Sequence, residues 1–214
     1  MVKIAPSILS VEKGKLEGEI QEVVNAGADF IHIDVMDGKF VTNQTDGIRM
    51  LKIASKFHQQ IQLDTHLMVE KPEEDIPNYL DSDIITFHLE ATTSKNMKEM
   101  ISFLHENKKK VGIAIKPKTP VEKVIKYLDL IDQVLVMTVE PGYGGQNLIL
   151  DCLNKVEQLK KMASNMIVEV DGGVNLENIE MVRKSGTDII VAGTAIFGAQ
   201  DKLKVIKLMK NEAI

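Results

Sequence analysis

The sequence predicts a closed barrel of eight parallel β-strands alternating with helices, a single domain over residues 1–214, and three observations predict it. Eight short β-like runs recur along the chain, and the segments between them place apolar residues at helical spacing. Several of the strands gather their polar residues on one face and late in the run. No linker, low-complexity tract or interior shift of composition divides the chain, and no second set of elements follows, which favours a ring over an open sheet. An open doubly wound sheet should pass from its first strand into a glycine-rich turn, and Ile8-Leu9-Ser10-Val11 holds no glycine there.

In order, the strands are expected at 4–9, 30–36, 61–68, 83–89, 111–116, 133–139, 166–171 and 188–193. Leu16, Ile20, Val23 and Val24 form a helical stripe after the first strand; Val156, Leu159 and Met162 form another before the seventh. Gly27, Gly112 and Gly186 sit near helix-to-strand transitions, where left-handed or tight turns are expected. In the second strand Ile31, Ile33 and Val35 share one face, and His32, Asp34 and Met36 the other. Leu63, Thr65 and Leu67 oppose Gln62, Asp64, His66 and Met68 in the third strand. Ile85, Phe87 and Leu89 oppose Thr86, His88 and Glu90 in the fourth, and Val168 and Val170 oppose Ile167, Glu169 and Asp171 in the seventh. The face that packs on helices must be apolar, so the polar sets point toward the barrel axis. Late in their strands, they lie at the mouth where this architecture builds active sites.

The bulk properties narrow the function classes. With 44% hydrophobic and 27% charged residues the 214-residue chain has ordinary globular composition, and a net charge of −5 leaves no footprint for nucleic acid or an anionic membrane. No apolar run reaches the roughly 20 residues of a membrane span, and Met1-Val2-Lys3-Ile4-Ala5-Pro6 does not read as a secretory leader, so a cytoplasmic enzyme is expected. The single cysteine, Cys152, precludes an internal disulfide and reads as a packing residue. Lys108-Lys109-Lys110 reads as a solvated helix end, and His58 and His105 receive no role.

Four inward residues, His32 and Asp34 from the second strand, His66 from the third and Asp171 from the seventh, form a candidate metal site. Residues two apart project from the same face of a strand, which is why a His-x-Asp pair can share one ion. Two imidazoles and two carboxylates suit a borderline divalent cation such as Zn²⁺, Fe²⁺, Mn²⁺ or Co²⁺. Glu169 lies deeper and reads as an interior partner of a ligand, and His88 is a further candidate for the site. Three glycine-rich turns follow the last strands: Pro141-Gly142-Tyr143-Gly144-Gly145-Gln146, Asp171-Gly172-Gly173-Val174 and Gly193-Thr194. Such turns let backbone N–H groups approach an anion, and barrels often hold phosphate after strands seven and eight. Cation and phosphate clamp together suggest a phosphorylated polyol chelated through a carbonyl and a hydroxyl. The ion would acidify the adjacent C–H and stabilise an enediolate, and Asp34 and Asp171, on opposite faces of that carbon, would exchange its proton with inversion. Met36, Met68 and Met137 share this level, either as core packing or as a soft wall that excludes water from the enediolate.

These residues resemble the ribulose-phosphate 3-epimerase family. The matching segments are Ile4-Ala5-Pro6-Ser7-Ile8-Leu9-Ser10, Ile31-His32-Ile33-Asp34-Val35-Met36-Asp37-Gly38, Asp64-Thr65-His66-Leu67-Met68-Val69-Glu70, Val139-Glu140-Pro141-Gly142-Tyr143-Gly144-Gly145-Gln146, Val170-Asp171-Gly172-Gly173-Val174-Asn175 and Val191-Ala192-Gly193-Thr194-Ala195-Ile196-Phe197-Gly198. The resemblance implies a TIM barrel of the ribulose-phosphate-binding type that interconverts D-ribulose 5-phosphate and D-xylulose 5-phosphate in the pentose phosphate pathway. It implies one divalent ion on His32, Asp34, His66 and Asp171, with Asp34 and Asp171 as the acid/base pair. It places Ser7, His66, Gly142, Tyr143, Gly144 and Gly145 against the substrate, and Gly172, Gly173, Gly193 and Thr194 in the phosphate turns. It also implies a homo-oligomer. Thr194 stands where the family commonly has serine, which retains both the hydroxyl and the N–H. In the loop Phe40-Val41-Thr42-Asn43-Gln44-Thr45-Asp46-Gly47, Thr42 replaces the family's proline, and Gln44 and Asp46 replace apolar residues. Relatives acting on D-allulose 6-phosphate use the same site, but Asp171-Gly172-Gly173 is more similar to the five-carbon enzymes.

Two rival classes carry less. Decarboxylases and synthases of related barrels share an Asp-x-Lys-x-x-Asp strand motif; here Asp37-Gly38-Lys39 falls past the strand and Thr42 occupies the final Asp position. A non-catalytic sugar-phosphate binder has no need of paired acid/base groups.

Overall fold

The computed structural model describes residues 2–12 and 14–213; Met1 of the N-terminal segment read above lies outside them. Eight strands form one parallel sheet in the order β1-β8-β7-β6-β5-β4-β3-β2, with β1 Lys3–Pro6, β2 Phe30–Met36, β3 Gln62–Met68, β4 Ile84–His88, β5 Lys110–Ile115, β6 Gln133–Met137, β7 Ile167–Asp171 and β8 Ile189–Ala192. A parallel bridge between Ser7 and His32 joins β1 to β2 and closes the ring. The open-sheet alternative is thereby excluded. Around the strands run α1 Leu16–Asn25, α2 Gly47–Ala54, α3 Pro72–Asp75, α4 Ser94–Glu106, α5 Leu153–Met162, α6 Ile179–Lys184, α7 Thr194–Phe197 and α8 Lys202–Lys210. No helix among the described residues is long and apolar enough to cross a membrane.

The predicted faces separate as the alternation requires. Ile31, Ile33, Val35, Leu63, Leu67, Ile85, Phe87, Val168 and Val170 join the large apolar layer between strands and helices. Inside the ring, Ala5, Phe30, Ile84, Ile189 and Val191 fill the axis with apolar side chains, and Met36, Val41 and Met68 form a separate cluster at the mouth.

Three expectations change. The first strand is short, because Ser7 caps a 3-10 turn over Ile8–Ser10 by accepting from the Leu9 N–H. The crossover from β5 to β6 holds only 3-10 turns, Val121–Lys123 and Ile125–Leu130; Pro117 and Pro120 enter it, and proline cannot donate to a helical ladder. Gly112 lies within β5 rather than at a turn, and its lack of a side chain has a different cause. A β-carbon there would overlap Thr86 inside the barrel. Gly27 and Gly186 do adopt the expected positive φ, at 81° and 92°.

The N-terminal rim repeats one device at every second strand. Asp29, Asp83, Asp132 and Asp188 each immediately precede an even-numbered strand, and each carboxylate accepts the N–H of Ile4, Leu63, Val111 and Val168 respectively at 2.7–2.8 Å. Each of these aspartates also donates its own N–H to the carbonyl of the same residue. A basic side chain completes every clasp: Lys210 on Asp29, His58 on Asp83, His105 on Asp132 and Lys160 on Asp188. His58 and His105, left without a role by the sequence, are parts of this rim.

Candidate active site

At the opposite end, strand register brings the four predicted ligands together. Asp34 of β2 lies beside His66 of β3, and Asp171 ends β7. One donor atom from each of His32, Asp34, His66 and Asp171 lies within 4.8 Å of all the others. His32 Nε2 is 3.5 Å from Asp34 Oδ1 and 3.9 Å from Asp171 Oδ2, and His66 Nδ1 is 3.3 Å and 3.5 Å from the same two oxygens. Donors at ~2.0–2.2 Å around a tetrahedral ion would be ~3.3–3.6 Å apart, so the set suits one divalent cation with little adjustment. His32 Nε2 is buried, makes no hydrogen bond and lies among the other three donors. Burial opposes charge on His32, yet Asp34 and Asp64 outweigh it and hold its pKa well above the usual imidazole value. Burial likewise opposes the charge of Asp34, but His32 and His66 hold its carboxyl well below the usual range. The site attracts positive charge.

Behind the ligands lie further partners: Glu169 and His88, singled out in the sequence, and Asp64 and Glu90, which the sequence left without a role. Asp64, on β3 opposite His32, has Oδ2 at 2.7 Å from His32 Nδ1, so that nitrogen donates and Nε2 is left free. Deeper in the barrel, Glu169 Oε1 lies 3.6 Å from His32 Nδ1, and Glu169 Oε2 accepts from Gln133 Nε2 at 2.8 Å. Burial, then the charge of Asp64, pushes the Glu169 carboxyl well above its usual value. The His66 ring meets His88, Nε2 to Nε2 at 2.9 Å, and His88 Nδ1 is 3.1 Å from Glu90 Oε2. Burial and the neighbouring His66 bring His88 down to about 4, against the pull of Glu90. Burial would raise Glu90, but the donors His88, Thr119 and the Lys116 N–H bring it to about 2.

A cavity of about 270 Å³ adjoins Asp171, lined by Ser7, Ser10 and the turns holding Gly144, Gly145, Gly172, Gly173, Gly193 and Thr194. None of its lining residues is basic, so an anion there would be held by backbone N–H groups and hydroxyls. Three glycines are required by space. A β-carbon on Gly172, at φ 121°, would overlap Val139. Gly173 has φ 72° and turns a bare Cα toward the backbone of Leu148, and a β-carbon on Gly193 would collide with Ser10. Ser7 donates its hydroxyl to Asp34 Oδ2 at 2.6 Å. Gly142 and Tyr143 face the loop after β2 instead of the cavity: the Asn43 amide donates to the Gly142 carbonyl at 3.0 Å, and the hydroxyls of Thr42 and Tyr143 are 3.2 Å apart. Met36 and Met68 pack with Val41 at the mouth, and Met137 packs with Ala114, Leu135 and Val139.

Known proteins match this arrangement over its whole extent. The model of the Ribulose-phosphate 3 epimerase family matches residues 3–197. Ribulose-phosphate 3-epimerase of Schizosaccharomyces pombe is 42% identical, covering 99% of this chain and 94% of that protein. The Bacillus subtilis protein of the same name is 41% identical, with 99% of each covered. Among solved structures, 3-hexulose-6-phosphate synthase from Salmonella typhimurium superposes with a TM-score of 0.73 at 16% identity over 98% of this chain and 97% of that one. Orotidine 5'-monophosphate decarboxylase from Sulfolobus solfataricus does so at 0.69 and 9% identity over 99% and 97%. Both of these share the fold alone. With matched residues running from β1 through α7 and relatives near 40% identity along the full barrel, the chain belongs to the ribulose-phosphate 3-epimerase family.

Proposed function

We propose that this epimerase interconverts D-ribulose 5-phosphate and D-xylulose 5-phosphate by two-base proton transfer at C3, with one divalent ion on His32, Asp34, His66 and Asp171. The observation that carries the proposal is the meeting of two carboxylates from β2 and β7 beside a glycine-lined cavity. The names of the relatives favour the five-carbon sugar over allulose 6-phosphate. When bound, the ion supplies Lewis acidity to the substrate's oxygens. The chain's own residues do the rest. Backbone N–H groups of the turns at Gly144, Gly173 and Gly193 hold the phosphate, with the Ser10 and Thr194 hydroxyls beside them. That anchor places C3 between Asp34 and Asp171. One carboxylate removes the C3 proton and the other delivers a proton from the far side, which inverts the centre. Ser7 donates to one oxygen of Asp34 and fixes the plane of that carboxylate. Met36, Met68 and Met137 exclude water that would compete for the proton.

Incubation of the metal-loaded protein with ribulose 5-phosphate in deuterated water should place deuterium at C3 of the product, with allulose 6-phosphate turned over more slowly. Asp34→Asn and Asp171→Asn should each lose at least ~10²-fold in rate. If only one of them also ceases to wash deuterium into recovered ribulose 5-phosphate, that residue is the base on the ribulose side. Wild-type turnover by either variant would defeat the two-base scheme.

A further inference from the structure

A chain of hydrogen bonds leads away from His66, buried at His88 and reaching the surface at Glu90, and its direction is set at that far end. Glu90, two residues past β4 in a 3-10 turn, accepts on Oε1 from the Lys116 N–H at 2.8 Å and from the Thr119 hydroxyl, so this carboxylate is committed as an acceptor. Its Oε2 faces His88 Nδ1, which must therefore carry the hydrogen. His88 Nε2 is left as an acceptor, and the group facing it at 2.9 Å is His66 Nε2, which must donate. With its hydrogen on Nε2, His66 presents a bare Nδ1 to the point shared by Asp34 and Asp171. On the other side Asp64 sets His32 in the same sense, through Nδ1. The loop that steers Glu90 is itself clamped: the Lys155 ammonium from α5 donates to the carbonyls of Lys116, Pro117 and Thr119 at 2.6–2.9 Å. The Phe40 ring lies 4.7 Å from the His88 imidazole, and the Lys116 ammonium sits 3.7 Å from the centre of the same ring.

We propose that Glu90 and His88 are positioning residues that act through His66: a directional relay, held by the 116–119 loop, that fixes which His66 nitrogen is free to bind the cation. The inference rests on the reading of His66 as a metal ligand and extends it two side chains further, to a residue that touches neither ion nor substrate.

Glu90→Gln separates this relay from simple packing, because the amide is nearly the same shape. Its carbonyl oxygen stays with the Lys116 N–H, since the opposite orientation would set donor against donor. The amide N–H then points at His88 Nδ1 and reverses every bond in the chain. His66 Nε2 becomes an acceptor, and the hydrogen moves to the nitrogen that should meet the ion. His88→Gln, in contrast, offers a carbonyl to His66 Nε2–H and preserves the sense, whereas His88→Phe offers none.

The test titrates Co²⁺ alone into the metal-free protein and follows its visible absorption, which reports ligand geometry, beside the thermal melting of each metal-free variant. Expected are a loss of about 10–100-fold in Co²⁺ affinity for Glu90→Gln and His88→Phe with a changed spectrum, and near wild-type binding by His88→Gln. Equal Co²⁺ binding by wild type and Glu90→Gln, or by the two His88 variants, overturns the relay. A fall in affinity that only tracks a lowered melting temperature also overturns it. A wild-type protein that binds no Co²⁺ defeats the ligand assignment beneath it as well, so the two failures are told apart by the wild-type titration.

Discussion

Single residues in this barrel are constrained by the neighbouring strand as much as by their own. Gly112 is the clearest case: its Cα faces Thr86, whose hydroxyl accepts from Gln133 at 3.1 Å. Gly112→Ala should destabilise the protein by about 1–3 kcal/mol, the usual cost of overpacking a filled interior. Removing the obstructing side chain in Gly112→Ala/Thr86→Ala should recover part of it, so the two losses fall short of additive in denaturant melts. Full additivity would mean that the two positions do not compete for the same space. Neither the reason for this glycine nor the role of Asp64 was legible in the sequence. The alternation of β3 pointed Asp64 inward, but only the register that sets it opposite His32 shows what it holds. By contrast His32, Asp34 and His66 stood out, because a period of two puts a polar row on an otherwise apolar strand.

At the scale of elements, the loops after β2 and β3 are joined by one carboxylate. Asp37 accepts the N–H groups of Lys39 and Phe40 on one oxygen and of Glu70 on the other. Burial opposes its charge, yet those three donors together lower its pKa. A carboxylate depressed by folding stabilises fully above its unfolded pKa, near 4, and that contribution fades as pH falls through the folded value. Asp37→Asn should therefore melt below wild type at pH 7, with the gap narrowing below about pH 4. A gap that is constant with pH would assign the loss to shape and not to charge. Sequence periodicity located the strands to within a few residues. It did not show that β5 and β6 are joined without an α-helix, nor that the loop after β5 supplies Lys116 and Thr119 to Glu90, because neither feature leaves a repeating trace in the chain.

For the whole molecule, the chemistry and the aspartate clasps occupy opposite ends of the same strands. Asp83 and Asp132 lie on the N-terminal rim, where each accepts a strand N–H that would otherwise go unpaired. Asp83→Ala and Asp132→Ala should each cost about 1 kcal/mol or more. They should leave kcat and KM for ribulose 5-phosphate unchanged, and a fall in kcat at constant fold would show that the two ends are coupled. The ring itself was legible from strand count and from inward polar rows. The rim was written in the sequence too, as an aspartate directly before every even-numbered strand, but its meaning lies in a carboxylate reaching back to the start of the preceding strand.

That rim divides the ring into four pairs, β1 with β2, β3 with β4, β5 with β6 and β7 with β8, each pair stitched to itself by main-chain and carboxylate bonds. Severing the polypeptide between pairs leaves every aspartate with its amide, although a cut after residue 107 parts His105 from Asp132, whereas severing it inside a pair leaves one aspartate and its amide on separate pieces. Co-expressed fragments 1–107 and 108–214 should thus reassemble into an active particle more readily than fragments parted between β3 and β4, as though the barrel were made of quarters rather than eighths.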